Sequence, residues 1–326
     1  MQYRNLGASG LKVSAISFGT WLTFGLQIDD KDAQTCIDTS FENGINFFDT
    51  ADIYKNGQAE IILGRCLAAY QREDYVLATK TFFPMSTVPN SSGLSRKHII
   101  ESCNASLKRL NVDYIDVFQC HSYDHETPPE ETIRAMGDLI RQGKILYWGV
   151  SQWTGRQIVD VCELTTACNG YLPISSQTKY HLIDRRVENS VIPYCEKLGI
   201  GQIIYSPLEQ GLFTGKYCNK HIEINARGSQ TKEISQFLKP WLNQGILRHI
   251  AAFNKLSDQT PYTSAQLALA WVLQKPGVSS VICGATQPQQ IVENIKAVDI
   301  SLDDSLVNEM EQIFYDWKDL LSHISL

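Results

Sequence analysis

The sequence predicts an α/β protein that forms a single (β/α)8 barrel of the TIM type across residues 1–326. Eight short runs rich in β-branched and aromatic residues alternate with segments of helical periodicity, which is the order of elements in such a barrel. No shift in composition marks a linker that would divide the chain into domains. No GxGxxG motif stands at a strand-to-helix turn, and this argues against an open doubly wound sheet, the main alternative.

The predicted strands are short and several are nearly continuous in apolar character, as parallel strands covered on both faces are. They lie at 15–21, 46–49, 75–80, 114–120, 145–150, 174–180, 201–207 and 279–285. Apolar residues recur at helical spacing in the intervals between them. These intervals predict helices at 29–44, in the back half of 45–64, and at 95–110, 129–141, 154–169, 188–198, 263–274 and 287–297.

Two of the predicted helices carry recognisable end signals. The helix at 29–44 closes on Gly44, a residue type that readily adopts the left-handed conformation found after many helices. The helix at 95–110 begins with Ser95, whose hydroxyl can accept a hydrogen bond from an N–H of the first turn. The apolar residues of this second helix fall on one side, which predicts that this side packs on the barrel.

Three segments lie outside the eightfold pattern. The first, at 3–14, predicts an N-terminal hairpin with its turn at Gly7 to Gly10. The second, at 213–262, is long and predicts an extra helix around 232–256. The third, at 303–322, predicts a further helix at the C-terminal end. The expected architecture is therefore a barrel with an N-terminal hairpin and extra helices.

Composition excludes several classes of protein. The net charge of −6 argues against a nucleic-acid binder, which needs Lys and Arg to neutralise phosphates. No apolar run approaches the roughly 18 residues required to cross a bilayer, so membrane insertion is not expected. Nine cysteines occur without a CxxC pair, which favours free thiols in a cytoplasmic protein and signals no metal site.

Ionisable residues follow three successive predicted strands. Asp49, Lys80 and His121 end the second, third and fourth strands, and Tyr54 lies in the loop after Asp49. Because active-site residues of a barrel gather at the C-terminal ends of its strands, these four side chains are expected to converge. Taken singly, each has an ordinary alternative: a helix cap, a half-buried loop aromatic, a solvated charge and a packed histidine.

These residue types suit the protonation of a carbonyl oxygen. A tyrosine has an ordinary pKa of about 10, and the nearby ammonium of Lys80 is expected to lower the pKa of Tyr54. Asp49 would keep Lys80 charged and oriented. A neutral His121 could donate a hydrogen bond to the same oxygen. Ser151, Gln177, Tyr205 and Ser206 also lie late in or just after predicted strands.

Several longer motifs resemble signatures of the aldo-keto reductase family. They are "FFDTADIY", "LATK", "DVFQCH", "GVSQW" and "GATQPQQIVENI". The resemblance covers nearly the whole chain, and "YSPLEQGLFTGKY" and "PPEETIRAM" are most similar to the branch that contains the voltage-gated potassium channel β subunits. It implies a (β/α)8 barrel that binds NADPH or NADP+ without a Rossmann domain, with Asp49, Tyr54, Lys80 and His121 as the catalytic tetrad.

The resemblance also implies a cofactor site. Its residues would be Gly19, Thr20, Trp21, Asp49, Ser151, Gln177, Tyr205, Ser206, Leu208, Gly211, Lys216, Arg227, Gly284, Thr286, Gln290, Glu293 and Asn294. Within this set, Tyr205 would stack on the nicotinamide and Arg227 would lie near the 2′-phosphate. Taken alone, Trp21 and Tyr205 read as core residues and Lys216 and Arg227 as solvated loop charges.

Some positions depart from the family pattern. Thr286 and Gln290 stand where many reductases have a basic residue, so a preference for NADPH would rest mainly on Arg227. His121 stands where mammalian channel subunits typically have asparagine, which favours carbonyl reduction. The aromatic residues Trp21, Phe82, Phe83 and Trp153 are candidates for the substrate pocket, with core packing as the alternative for each.

The resemblance therefore implies NADPH-dependent reduction of aldehydes or ketones to alcohols, with hydride from the nicotinamide C4 and a proton from Tyr54. The alternative is an NADPH-binding, redox-sensing regulatory subunit of a potassium channel. A third, weaker reading is oxidation of sugars or polyols with NADP+. The related branch forms tetramers, so a homotetramer is also an expectation.

Overall fold

A computed structural model of the chain describes residues 1–217, 236–238 and 244–316. Eight parallel strands close into a barrel in which each strand pairs with the next along the chain and the last pairs with the first. They are β3 (Ile16–Gly19), β4 (Phe47–Asp49), β5 (Val76–Thr81), β6 (Ile115–Cys120), β7 (Ile145–Ser151), β8 (Ser175–Lys179), β9 (Gly201–Tyr205) and β10 (Val278–Cys283). The predicted (β/α)8 barrel is confirmed, and every predicted strand overlaps an observed one.

Helices surround this barrel. They are α1 (Asp30–Glu42), α2 (Gln58–Leu67), α3 (Arg96–Leu110), α4 (Pro129–Arg141), α5 (Gly155–Ala167), α6 (Val191–Leu198), α7 (Gln244–Ser257), α8 (Ser264–Leu273), α9 (Pro288–Ile295) and α10 (Asp304–Ile313). Ser95 caps α3 as predicted, because its side chain accepts a hydrogen bond from the N–H of His98. Asn43 is the cap residue of α1, and Gly44 follows it with a φ of 79°.

The segments outside the barrel pattern are also present. β1 (Tyr3–Asn5) and β2 (Lys12–Ser14) form the predicted antiparallel hairpin. The helix predicted around 232–256 corresponds in the described residues to α7. Positions 236–238 form a turn instead of helix, and 232–235 and 239–243 lie outside the described residues. The helix predicted at 303–322 is described as α10, and positions 317–322 lie outside the described residues.

The hairpin closes one end of the barrel. Leu6 and Val13 from the hairpin belong to a buried apolar cluster with Phe47, Val117 and Ile203, which come from strands of the barrel. Fully burying one such large side chain contributes about 1.5–3 kcal/mol. Because this cluster fills the interior near the hairpin, the opposite end, where the strands finish, is left for a site. None of the described helices is long and apolar enough to cross a membrane.

Candidate active site

A buried lysine joins a carboxylate to a phenol at the C-terminal ends of the strands. Lys80 Nζ lies 2.6 Å from Asp49 Oδ1 and 3.1 Å from the Tyr54 hydroxyl oxygen. The same ammonium donates a hydrogen bond to the backbone carbonyl of Thr50 at 2.7 Å. Lys80 is fully buried and Asp49 is 3% exposed. All three donor positions of the ammonium therefore have partners, and the phenol is one of them.

Strand register places these side chains at neighbouring inward positions near the ends of the strands. Asp49 ends β4 and pairs with Ala78 of β5, and Lys80 of β5 pairs with Gln119 of β6. Since alternate residues of a barrel strand point inward, neighbouring strands place these polar groups together near the mouth. The backbone N–H of Asp52 donates to the carbonyl of Lys80, which fixes the start of the loop that carries Tyr54.

That loop turns sharply after the tyrosine. Lys55 and Asn56 have φ values of 47° and 51°, and Gly57 follows at 86°. A left-handed conformation is uncommon for residues with a Cβ, although asparagine tolerates it better than most. The three residues reverse the chain into α2. Tyr54 is consequently held at a fixed place over Lys80, with the ammonium 4.8 Å from the centre of its ring.

Further polar groups lie at or next to the carboxylate, and two of them, Gln119 and Thr50, were not predicted from the sequence. Gln177 Nε2 donates to Asp49 Oδ2 at 2.8 Å, and Gln119 Nε2 lies 3.4 Å from the same oxygen. The hydroxyl of Thr20 donates to that of Thr50 at 2.8 Å. Gln119 stands two residues before His121, on the same face of β6, and strand alternation could have identified it.

Burial and charge act against each other on the buried ammonium and phenol. Burial lowers the pKa of Lys80, but the charge of Asp49 and hydrogen bonds to Asp49 and Tyr54 outweigh it, so the pKa is raised and the amine stays protonated. Burial raises the pKa of Tyr54, and the opposing effect of Lys80 is smaller. The predicted net lowering of the Tyr54 pKa is therefore wrong. The consequence is a phenol that keeps its proton at neutral pH.

His121 is a buried, neutral imidazole beside the phenol. Its ring centre lies 5.7 Å from that of Tyr54 and 4.9 Å from that of Phe83. Burial and the positive charge of Lys80 hold its pKa well below the ordinary value. Nδ1 is buried and has no hydrogen-bond partner among the described residues. A buried polar atom in this condition is costly, which fits a group that awaits a ligand.

The pH dependence of the unfolding free energy should show that this imidazole is neutral in the folded protein. The unfolded chain takes up a proton at this histidine below about pH 6.5, whereas the folded protein does not, so stability falls as pH decreases. Between about pH 7.5 and 5.5 the wild type is expected to lose roughly 1.4 kcal/mol more unfolding free energy than His121→Asn. Urea denaturation at both pH values measures this, with His98, also buried with a lowered pKa, common to both proteins. Equal losses would contradict a neutral His121.

Aromatic residues lie around these polar groups. Trp21 lies 6.4 Å from Tyr54 between ring centres, and Phe82 meets Phe83 edge to face at 5.2 Å. Phe237, which sequence reasoning missed, contacts Trp21 at 4.9 Å. It belongs to the long segment between β9 and α7, where no strand register indicated its position. The described part of this segment therefore contributes an aromatic side chain next to Trp21.

Trp153 has a different ring as its neighbour. It is 3% exposed and packs edge to face on Tyr123, with 4.8 Å between ring centres. Its indole Nε1 is buried and has no hydrogen-bond partner among the described residues. No ring contact joins Trp153 to Tyr54 or His121 among the described residues, so its place in a substrate pocket stays a prediction.

Several predicted cofactor residues gather at the same end of the barrel. Gly19 ends β3, and an added Cβ would come within 2.4 Å of the Ile282 side chain. Ser151 ends β7, is 1% exposed, and pairs in register with Gln177 of β8. Tyr205 ends β9, is half-buried, and its hydroxyl lies 3.5 Å from Gln152 Oε1. These ends surround the carboxylate of Asp49.

Two further groups of predicted cofactor residues follow the last two strands of the barrel. Ser206, Leu208, Gly211 and Lys216 follow β9, with Gly211 at a φ of 94°. Gly284, Thr286, Gln290, Glu293 and Asn294 lie after β10 and on α9. The Gln287 side chain before α9 makes no capping hydrogen bond, and helix N-termini attract anions. Arg227 lies outside the described residues.

Several polar atoms of these residues already make hydrogen bonds within the protein. The Thr286 N–H donates to Gln290 Oε1 at 2.8 Å. Glu293 Oε1 accepts a hydrogen bond from Lys296 at 2.6 Å, and Glu293 Oε2 lies 3.2 Å from Gln266 Nε2. Gly211 has no atom closer than 3.8 Å to an added Cβ, so its positive φ, and not crowding, calls for glycine.

A closed parallel barrel with a lysine–carboxylate pair, a phenol and an imidazole at its strand ends defines a (β/α)8-barrel protein with a candidate acid–base centre. The model of the aldo/keto reductase family matches residues 15–314, and the chain belongs to that family. Membership supports an oxidoreductase.

Two relatives are similar over most of their length. A protein of Arabidopsis thaliana named a probable voltage-gated potassium channel subunit beta is 42% identical over 318 residues, which is 96% of each chain. A protein of the same name from Oryza sativa subsp. japonica is 42% identical over 303 residues, which is 92% of each chain.

Proposed function

We propose that the protein reduces small aldehydes and ketones to alcohols with NADPH. The observation that carries this proposal is the contact of a buried, charged Lys80 with both Asp49 and the hydroxyl of Tyr54. Such a set supplies a proton to a carbonyl oxygen, and membership of the aldo/keto reductase family supports that use.

Tyr54 acts as the acid in this proposal. Its raised pKa keeps the phenol protonated in the free protein, and the ammonium 3.1 Å away stabilises the phenolate once the proton has gone to the carbonyl oxygen. Asp49 keeps Lys80 charged and oriented. His121, being neutral, donates a hydrogen bond that positions the same oxygen. NADPH, when bound, supplies the hydride for the carbonyl carbon.

The residues present fit a dinucleotide. Ser151 and Gln177 would hold the carboxamide, Tyr205 would stack on the nicotinamide ring, and the start of α9 would face a phosphate group. The loop after β9 would hold the diphosphate. Of these, Gln177 already donates to Asp49, which would link the amide contact to the catalytic carboxylate. Thr20 would lie beneath the nicotinamide, held in place by the hydrogen bond that it donates to Thr50.

The names of the relatives favour a second candidate function. This candidate is an NADPH-binding, redox-sensing regulatory subunit of a potassium channel, and the relatives' names support only its association with a channel. For either function we also propose a homotetramer and a cytoplasmic location. The difference lies in turnover, because a reductase consumes many cofactor molecules per site and a sensor retains one.

The deciding experiment is a panel of small aldehydes and ketones with NADPH consumption followed by absorbance. Multiple turnovers per site support the reductase. Tight retention of NADPH with at most one turnover on every substrate supports the regulatory subunit. Repeating the panel with alcohols, sugars and polyols and NADP+ tests the oxidative direction. Absence of binding by both cofactors, measured by fluorescence titration, would contradict both readings.

Arg227→Ala is expected to weaken NADPH binding by roughly tenfold or more while changing NADH binding little. A charge-assisted hydrogen bond to a phosphate contributes about 1.5–3 kcal/mol, and NADH lacks the 2′-phosphate. Dissociation constants for both cofactors measure the effect. Equal weakening of the two would remove Arg227 from the 2′-phosphate site.

A further inference from the structure

A buried ion cluster ties the loop after β9 to the neighbouring strand. Glu209 in this loop is 1% exposed. Its Oε2 lies 2.8 Å from Lys179 Nζ and 2.6 Å from His181 Nε2. Lys179 ends β8 and His181 follows it. One carboxylate therefore links the loops of two adjacent strands, directly beside Tyr205, which pairs with Lys179 in the sheet.

The cluster has a defined charge pattern. Burial by itself would raise the pKa of Glu209, but His181 and Lys179 together hold it below the ordinary value, so the group is a carboxylate. His181 Nδ1 accepts the backbone N–H groups of Ile183 and Asp184 at 3.3 and 3.2 Å. Since Nδ1 is an acceptor, the ring proton is on Nε2, the nitrogen that lies 2.6 Å from Glu209 Oε2.

The loop that this cluster holds has an unusual backbone. Ser206, Glu209 and Gln210 have φ values of 51°, 40° and 55°, which side chains with a Cβ rarely adopt. Bonds inside the loop support this shape, among them Gln210 Nε2 to Ser206 Oγ at 2.9 Å. These internal bonds do not fix the loop relative to the barrel. The buried carboxylate of Glu209 does so, together with the buried ring of Phe213, which packs on Phe253 and Phe314.

We propose that Glu209, Lys179 and His181 are positioning residues that hold the 206–215 loop in the shape required for the diphosphate of the cofactor. The inference rests on the proposed function, because it assumes that this loop binds NADPH. The cluster stands at the ends of β8 and β9, whereas Asp49 and Lys80 stand on β4 and β5. Loss of the cluster should therefore cost cofactor affinity and leave proton transfer intact.

Glu209→Gln keeps the shape of the side chain and removes its charge. We expect it to raise the dissociation constant for NADPH by about tenfold, with kcat at saturating NADPH within about twofold of the wild type. Lys179→Met is expected to act similarly. Because the two groups form one unit, the double variant should lose no more affinity than the worse single variant. Fluorescence titration gives the affinities, and thermal unfolding confirms folding.

Asp116→Asn is the matched control. Asp116 is another buried carboxylate, 2.5 Å from Arg72, on the opposite end of the barrel. This substitution should lower the unfolding temperature without weakening NADPH binding. Wild-type affinity in Glu209→Gln and Lys179→Met, or additive losses in their double variant, would overturn the positioning role. A wild type that binds no NADPH would instead overturn the proposed function.

Discussion

Tyr54→Phe is expected to lower kcat for aldehyde reduction by about 10²- to 10⁴-fold, the contribution typical of a positioned general acid. The substitution removes one hydroxyl and leaves the ring, which touches Lys80 and lies beside His121 and Trp21. NADPH affinity should stay close to that of the wild type, because only the transferred proton is lost. Steady-state kinetics and cofactor titration on the same preparation measure both quantities.

Tyr70→Phe provides the matched control. Tyr70 is also partly buried, and its hydroxyl donates to Asp38 at 2.6 Å, away from the strand ends. Its loss should reduce stability slightly and leave turnover unchanged. Unchanged aldehyde reduction by Tyr54→Phe would rule out the proposed acid. Equal loss of turnover in both variants would indicate a general effect of removing a buried hydroxyl.

The barrel could be predicted because its elements depend on local patterns. Strands covered on both faces need continuous apolar runs, and the C-terminal ends of such strands converge in every barrel. That rule alone placed Asp49, Lys80 and His121 at one end. The position of Tyr54 followed from its loop, since a five-residue interval after Asp49 cannot carry it far.

The remaining features depend on contacts that no local pattern encodes. The Thr50 carbonyl accepts a hydrogen bond from Lys80 because of the direction that the backbone takes after β4, and residue types do not reveal that direction. Phe237 reaches Trp21 from a segment without strand register. The direction of the Tyr54 pKa shift was mispredicted because the proximity of Lys80 can be inferred from the strand ends, whereas the extent of burial depends on the whole surrounding structure.

Lys80→Met is expected to cost both turnover and stability. Removing the ammonium leaves Asp49 as an uncompensated buried charge, and breaking a buried pair in this way typically costs about 3–5 kcal/mol of unfolding free energy. Turnover should fall by about 10²- to 10³-fold or more, since the phenolate of Tyr54 loses its stabilising cation. Urea denaturation and steady-state kinetics measure the two effects.

The double variant Asp49→Asn and Lys80→Met separates these two roles of the pair. Replacing both buried charges leaves neither unpaired, so much of the lost stability should return, and Gln177 can still face the new amide. Turnover should not return, because no cation then lies beside the phenol. If activity recovered together with stability, Lys80 would serve the fold alone, and Tyr54 would release its proton without help from the ammonium 3.1 Å away.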